Sequence, residues 1–178
     1  MNGFRRSIRA TLDGFAVPLL EWERAFLVQV ADQLEHLLRS DSAAAAPMLE
    51  RLFPPAYNLD AERNLEYQRL MRDDLFERHV DAVKVLRETA QRDQLSVTEG
   101  NGWMRAINSM RLVIGTILEV SEEDEFEDDD DEVGPDAESD EAASARAGLV
   151  AQYRYLSMLL AEIVDAMSGQ TASESTTD

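Results

Sequence analysis

The stretch of residues 99–120 constrains the fold more than any other, because apolar side chains cover nearly the whole circumference of the helix that it predicts. Its main apolar face repeats mostly at spacings of three and four residues and consists of Trp103, Ile107, Met110, Ile114, Ile117 and Leu118. A narrow polar strip remains, formed by Arg105, Ser109 and Thr116. A helix that is apolar almost all round has to be covered by other elements. This one is therefore predicted to lie at the centre of a helical bundle.

Two segments on either side carry the periodicity of helices that would cover it. Residues 21–39 predict a helix with an apolar face of Trp22, Phe26, Val30, Leu34 and Leu37. Residues 143–167 predict a last helix with a heptad-like seam, which suits near-antiparallel packing in a bundle. The spacing of Ser96 and Glu99 is that of a capping box, and it places the start of the central helix there.

A further long helix is predicted over residues 60–90, where Asp60 can cap the first turn. Its length is unusual for a globular protein. Asp73 and Asp74 could cap a fresh start, so a break near Arg72 is an alternative to one continuous helix.

The N-terminal region carries a different pattern. Apolar and polar residues alternate in residues 4–12 and again in residues 15–19, with Asp13-Gly14 between them, which predicts a β-hairpin. A hairpin is marginal alone, so this one is expected to lean on the bundle. Farther along, Pro47 suits the first turn of a short helix that Pro54-Pro55 would end. The predicted fold class is mainly α, a helical bundle with a small N-terminal β-hairpin.

Negative charge is concentrated in one run. Residues 121–141 hold 14 of the 36 acidic residues and no basic one, so the rest of the chain sets 22 acidic against 17 basic residues and carries −5 of the total −19. Such a stretch cannot bury apolar surface. We predict a disordered loop at residues 121–142 within a single helical domain spanning residues 1–168, followed by a disordered tail at residues 169–178.

The acidic run has two alternatives to the role of a solvated linker. A calcium loop would start at Asp129, but Val133 then occupies a ligand position and cannot ligate. In the same frame, Asp140 stands where a bidentate glutamate is preferred. Docking on a basic partner, or mimicry of DNA, is the remaining alternative.

Composition removes several classes of site. The absence of cysteine excludes disulfides, thiolate nucleophiles and zinc–thiolate sites. The two histidines, His36 and His79, fall on different predicted helices, and no phosphate loop, nucleophile motif or metal motif occurs. No apolar run reaches the ~20 residues of a membrane helix. We expect a cytoplasmic protein that is not an enzyme, contacts no membrane and uses no metal or other cofactor.

Two groups of residues are candidates for binding. Asn108 and Arg111 lie beside the apolar face of the central helix. They form either a ligand or partner site, or a buried polar pair tied to a carboxylate such as Asp73 or Asp74. The second candidate is a basic patch formed by Arg5, Arg6 and Arg9. This patch would either touch phosphate, with weak and salt-sensitive attraction, or form a solvated strand face.

Two stretches resemble a known family, namely "RLFPPAYNLDAERNLEYQRLMRDDL" and "WMRAINSMRLVIGTILEVSEED". The sequence is similar to the actinobacterial oxidative-stress transcriptional regulator AosR family, formerly listed as a domain of unknown function. The resemblance covers almost the whole chain apart from the acidic run and the tail. The matching positions are Phe4, Arg5, Arg6, Leu52, Pro54 or Pro55, Ala56, Tyr57, Asp73, Asp74, Leu75, Trp103, Arg105, Ala106, Ile107, Asn108, Arg111, Leu112, Gly115 and Thr116.

The resemblance implies a non-enzymatic regulator of redox-stress genes that acts with the transcription machinery, through a sigma factor or RNA polymerase. Binding to DNA is expected to be weak or indirect, because phosphate contacts dominate DNA affinity and this chain is acidic. Redox sensing in that family is associated with cysteines, so a thiol switch within this chain cannot drive its regulation. The alternative is a helical protein-interaction adaptor in another process, such as regulated proteolysis.

Overall fold

The bundle is built from five helices and three short strands in the part of the chain that the computed structural model describes, residues 7–40, 42–43, 45–54, 61–119 and 140–174. For residues 61–70, 140–141 and 169–174 the helical backbone alone is described. The order is β1 (Arg9–Thr11), β2 (Gly14–Ala16), α1 (Glu21–Leu38), α2 (Ala45–Met48), a 3-10 turn (Glu50–Leu52), α3 (Ala61–Thr89), β3 (Gln94–Ser96), α4 (Val97–Ile117) and α5 (Asp140–Glu174). The predicted fold class is confirmed.

Helix α4 occupies the centre, as its apolar circumference predicts. It packs against the other four helices and against β2 and β3. The fully buried Trp103 donates its indole N–H to Thr89 Oγ1 of α3 at 2.7 Å, which joins the two helices through a satisfied polar group. The capping box is also confirmed, because Ser96 Oγ accepts from the Glu99 N–H and Glu99 Oε2 accepts from the Ser96 N–H.

The polar strip predicted on α4 is only partly at the surface. Arg105 is exposed and Thr116 is half-buried, but Ser109 retains just 3% of its accessible surface. Burial of Ser109 is tolerated because its hydroxyl donates to the Arg105 carbonyl at 2.8 Å. Conversely, Ile117 from the predicted apolar face is 40% exposed at the end of the helix.

The hairpin belongs to a three-stranded antiparallel sheet with β2 in the middle. Thr11 pairs with Gly14, so the turn residues are Leu12 and Asp13, and not the Asp13-Gly14 pair. Gly14 has a φ of 152°, and a Cβ there would collide with the carbonyl oxygen of Leu95. The third strand, β3, was not predicted, since three residues are too few to show a period of two.

Helix α1 has the predicted span, and Val30 and Leu34 of its predicted apolar face are buried, but its first turn places other residues inward. Trp22 is 60% exposed, while the adjacent Glu23 and Arg24 are buried. Trp22 and Phe26 lie at the edge of the bundle, where their ring centroids are 5.9 and 5.3 Å from that of Tyr155. The carboxylate of Glu23 caps the helix by accepting from the Leu20 N–H at 2.7 Å and also accepts from the Tyr155 hydroxyl at 2.9 Å.

The buried guanidinium of Arg24 explains why α1 turns this way. It donates to one carboxylate, on the exposed Asp93, at 2.7 Å. Its other hydrogen bonds go to the backbone carbonyls of Val17, Leu19, Ala90 and Arg92. Arg24 therefore ties the segment after β2 to the segment between α3 and β3.

Two predicted boundaries need correction. Helix α3 is continuous from Ala61 to Thr89, so Asp73 and Asp74 cap no fresh start near Arg72. The Asp74 carboxylate instead pairs with Arg78, one turn later, at 2.7 Å. The predicted cap Asp60 lies outside the described residues. The short helix expected at Pro47 is a four-residue helix followed by a 3-10 turn.

Helix α5 is longer than predicted. Most of the predicted seam is confirmed, because Leu156 and Ile163 are buried and Leu149, Tyr153, Leu160 and Met167 are partly buried against the core. The helix continues to Glu174, so residues 169–174, predicted as a disordered tail, are helical. It starts at Asp140, which makes the last residues of the predicted loop at 121–142 helical as well. Residues 120–139 and 175–178 lie outside the described residues.

Candidate functional site

Arg111 is the centre of the candidate site. It lies half-buried on the α4 stripe that also carries Asn108. Its guanidinium carbon stands 5.8 Å from the ring centroid of Tyr153 on α5, within the range of a cation–π contact. Its Nη2 is 3.4 Å from Asn108 Oδ1, which makes that hydrogen bond long and weak. Its Nε is buried and has no hydrogen-bond partner among the residues that the structure describes.

Gly115, one turn after Arg111, lets other groups approach α4 closely. An ideal Cβ at Gly115 would lie 3.2 Å from Cε2 of Tyr153 and 3.6 Å from Nη1 of Arg51. The groups nearest to that position belong to these two side chains. Arg51 and Arg111 thus both place guanidinium atoms in the neighbourhood of Tyr153. We call Arg51, Asn108, Arg111, Gly115 and Tyr153 the Arg111 cluster.

The predicted carboxylates are not part of this cluster. Asp73 is exposed on α3, and Asp74 pairs with Arg78. Among the described residues Arg111 forms no ion pair, so neither Asp73 nor Asp74 is the carboxylate that the buried-pair alternative requires, and the alternative of a ligand or partner site stays a prediction. The physical reason is that the Tyr153 ring supplies the negative face that holds the guanidinium.

The chemistry of the Arg111 cluster favours an acceptor that comes from outside. A guanidinium has five N–H donors in a rigid fork and matches carboxylates and carbonyls well. On Arg111 those donors meet one weak acceptor within the described part of the fold. A buried donor without a partner costs about 1–3 kcal/mol. An incoming carboxylate or carbonyl oxygen would recover part of that cost.

The predicted basic patch cannot be assembled from the described residues. Arg9 lies on β1 and is exposed, which agrees with a solvated strand face. Arg5 and Arg6 lie outside the described residues. The question of phosphate contact at this patch therefore stays a prediction.

His79 forms a polar contact between elements that the sequence did not predict. Its Nδ1 is 2.9 Å from Ser109 Oγ on α4, and its Nε2 is 3.3 Å from the Leu52 carbonyl of the 3-10 turn. Burial lowers the pKa of His79, and the hydrogen bond to the Leu52 carbonyl offsets this in part. The ring therefore links α3, α4 and the 3-10 turn. The two histidine partners are 27 and 30 residues away in sequence, so no local pattern indicates them.

A serine next to a histidine also occurs in nucleophilic catalysis. Here the serine is buried and its hydroxyl is bonded to the Arg105 carbonyl of its own helix. The second ring nitrogen of His79 faces a backbone carbonyl, where a catalytic dyad would have an orienting carboxylate. The geometry is that of a structural contact.

The same described segments offer neither a metal site nor a membrane span. They contain no group of three or more histidine, aspartate or glutamate side chains placed to hold a metal ion. None of the helices in them is long and apolar enough to cross a membrane.

Comparison with known proteins gives one match. The model of a family described as a domain of unknown function, DUF2017, matches residues 1–167. No curated protein and no solved structure matches the chain.

Proposed function

The chain belongs to the DUF2017 family, a domain of unknown function, and from this premise we propose that it is a non-enzymatic cytoplasmic regulator of transcription. It resembles the AosR regulators at the positions given above, and like them it would control oxidative-stress genes. It would act by binding a protein of the transcription machinery, a sigma factor or RNA polymerase. Contact with DNA would be weak or made through that partner.

The observation that carries the proposal is the unsatisfied state of Arg111. A half-buried guanidinium that is held by an aromatic ring and has no carboxylate partner within the described segments is prepared to receive an acceptor from a partner. Arginine and tyrosine are also enriched among the residues that dominate binding energy in protein interfaces.

Charge supports a protein partner over DNA. A protein that binds DNA by itself needs a basic surface, because phosphate contacts supply most of the affinity. This chain has a net charge of −19, and −5 remains when the acidic run is left out. A partner that offers a carboxylate or backbone carbonyl to the Arg111 guanidinium fits the Arg111 cluster better than a phosphate backbone fits the whole chain.

The test is a binding titration at physiological salt with RNA polymerase core, with sigma factors and with promoter DNA, each alone and combined. We expect binding to a transcription protein, and promoter binding only in its presence. Arg111→Gln should weaken the protein complex more than about tenfold, as expected for loss of a central arginine. The matched control is Arg78→Gln on α3, whose guanidinium is exposed and paired with Asp74.

Two outcomes would contradict the proposal. Tight, sequence-specific DNA binding by the isolated chain would refute a mechanism through protein contacts. Absence of binding to any transcription protein, together with binding to a protease or its adaptor, would favour the alternative role in regulated proteolysis. Circular dichroism of both variants verifies that a lost interaction does not reflect loss of the fold.

A further inference from the structure

A cavity of about 280 Å³ lies between α1, α2, α4 and α5. Its inner part is formed by buried apolar side chains, Val30 and Leu34 of α1 and Met110, Val113 and Ile114 of α4. Its outer part reaches the surface, because Gln33, His36 and Ile117 also line it and are exposed. The cavity therefore leads from solvent into the core of the bundle.

The size of this cavity sets it apart from a packing defect. Protein interiors are close-packed and contain few voids larger than a water molecule. An engineered apolar cavity of about 150 Å³ stays dry and binds benzene or xenon. The cavity here is larger and also has a path to solvent, so a small molecule could both enter it and be held.

The lining defines the chemistry of the ligand. Among the described residues that line it there is no Asp, Glu, Lys or Arg. A charged group could not enter the apolar part without a large desolvation penalty. The polar side chains are the amides of Gln33 and Gln152 and the imidazole of His36. They can form hydrogen bonds with one polar end of a ligand whose body is apolar.

We infer that this cavity is a binding site for a small uncharged molecule with an apolar body and one hydrogen-bonding end. Its walls belong to four helices, so an occupied cavity would stabilise their packing against one another. This inference does not rest on the proposed function, since none of the residues of the Arg111 cluster lines the cavity.

The probe for this site is 1-hexanol, with hexanoate at pH 7.5 as the charged molecule of the same chain length. Binding is measured by calorimetry and by methyl NMR signals of Met110 and Ile114. We expect saturable binding of 1-hexanol with shifts at both methyl groups. Binding of hexanoate should be at least ~tenfold weaker, because the cavity offers no charged partner.

Two substitutions close the cavity in different ways. Val113→Phe fills its inner part, and Ile117→Trp places a large side chain at its opening. Both should abolish 1-hexanol binding. Ile117 is exposed, so Ile117→Trp tests the site without disturbing the core. The matched control is Val164→Trp on α5, where a side chain of similar exposure, 42% against 40%, lies outside the cavity.

Gln152→Leu tests the polar end of the site. It should weaken 1-hexanol binding several-fold and leave benzene binding unchanged, because benzene uses only the apolar walls.

The inference would be overturned by lack of saturable 1-hexanol binding, or by binding that survives Ile117→Trp as well as it survives Val164→Trp. It would also be overturned if sedimentation showed a dimer of the wild type that Ile117→Trp, and not Val164→Trp, dissociates. In that case a second copy of the chain would cover the cavity.

Discussion

Arg24 is a charged residue that organises the fold from a buried position. Its guanidinium bonds one carboxylate and four backbone carbonyls, which lie in two segments about 70 residues apart in sequence. Most of these acceptors are backbone carbonyls. The role of Arg24 is thus to satisfy carbonyls at the junction of sheet and bundle.

Replacement of Arg24 should be among the most damaging single changes in this protein. Arg24→Met keeps the apolar stem of the side chain but leaves buried carbonyls without donors, and we expect a loss of about 3–5 kcal/mol in the free energy of unfolding. Asp93→Asn removes only the exposed carboxylate partner and should cost about 0–1 kcal/mol. Urea titrations compare the two. Equal losses would mean that the ion pair, and not the backbone contacts, provides the stability.

His79 should make stability depend on pH in a defined window. Its pKa is lowered from 6.5 by burial, so the unfolded chain binds more protons than the folded one as the pH falls below that value. The free energy of unfolding should be constant above about pH 7.5. It should then decrease as the pH falls through 6.5 towards the lowered pKa of the folded state.

The measurement is a series of urea titrations between pH 5 and 8. His79→Gln should flatten the curve in this range, whereas His36→Gln, which removes the exposed histidine, should keep the slope.

Glu35 and Glu99 affect stability in a separate, lower pH range. Hydrogen bonds from Arg87 and from the Ser96 backbone, respectively, hold their pKa values below 4.5, so their contribution is lost only as the pH falls below that value. Identical slopes of stability against pH for the wild type, His79→Gln and His36→Gln would contradict the role of His79.

At the scale of the elements, two helical glycines differ in what surrounds them. One is free of neighbours, and at the other close packing requires glycine in spite of its low helix propensity. Gly148 of α5 has no atom within 4 Å of the position that a Cβ would occupy. Gly100 lies in the first turn of α4, where a Cβ would collide with the ring of the buried Phe15 on β2. The close approach of α4 to the sheet therefore requires glycine at position 100.

The same substitution should have opposite effects at these two positions. Gly148→Ala should raise the free energy of unfolding by about 0.5–1 kcal/mol, the helix propensity of alanine over glycine. Gly100→Ala should lower it by about 1–3 kcal/mol, because overpacking forces Phe15 out of its position. Thermal melts of both variants provide the comparison. A stabilised Gly100→Ala would show that the sheet does not press against α4 as described.

The elements that could be predicted from the sequence are those with local signals. Helix α4 and its capping box were predictable because periodicity and cap spacing lie within a few residues of each other. Strand β3 was missed because its partner is β2, far away in sequence. The inward turn of Glu23 and Arg24 was missed for a similar reason, since their charges are satisfied by Tyr155 and by distant carbonyls.

The candidate site was predictable only in part. Asn108 and Arg111 were identified because two polar residues stand on an otherwise apolar helix. Their partners could not be identified, because Arg51 and Tyr153 come from the 3-10 turn and from α5. A prediction from the sequence alone favoured opposite charge, and so chose Asp73 and Asp74. The aromatic ring that holds Arg111 leaves no comparable signal.

At the scale of the whole molecule, we expect that most of the negative charge can be removed without loss of the fold. Replacing residues 121–139 by a Gly-Ser linker of the same length removes 12 acidic residues, which changes the net charge from −19 to −7. The sequence of this run has no apolar periodicity, so helical content and cooperative melting should be retained. Circular dichroism measures both. Loss of the cooperative transition would show that the acidic run takes part in the fold.

The position of β2 in the middle of the sheet has a consequence during protein synthesis. Phe15 of β2 pairs with Leu95 of β3, so the ribosome must add a further 80 residues before the central strand can find its second neighbour. At about 5–20 residues per second this takes about 4–16 s. The backbone N–H of Ile8 donates to Glu162 at 3.2 Å, and this partner is synthesised later still. For that time Phe15 and Val17, which are buried in the folded protein, lack the residues that cover them, and the segment that carries them is exposed to contact with other apolar surfaces.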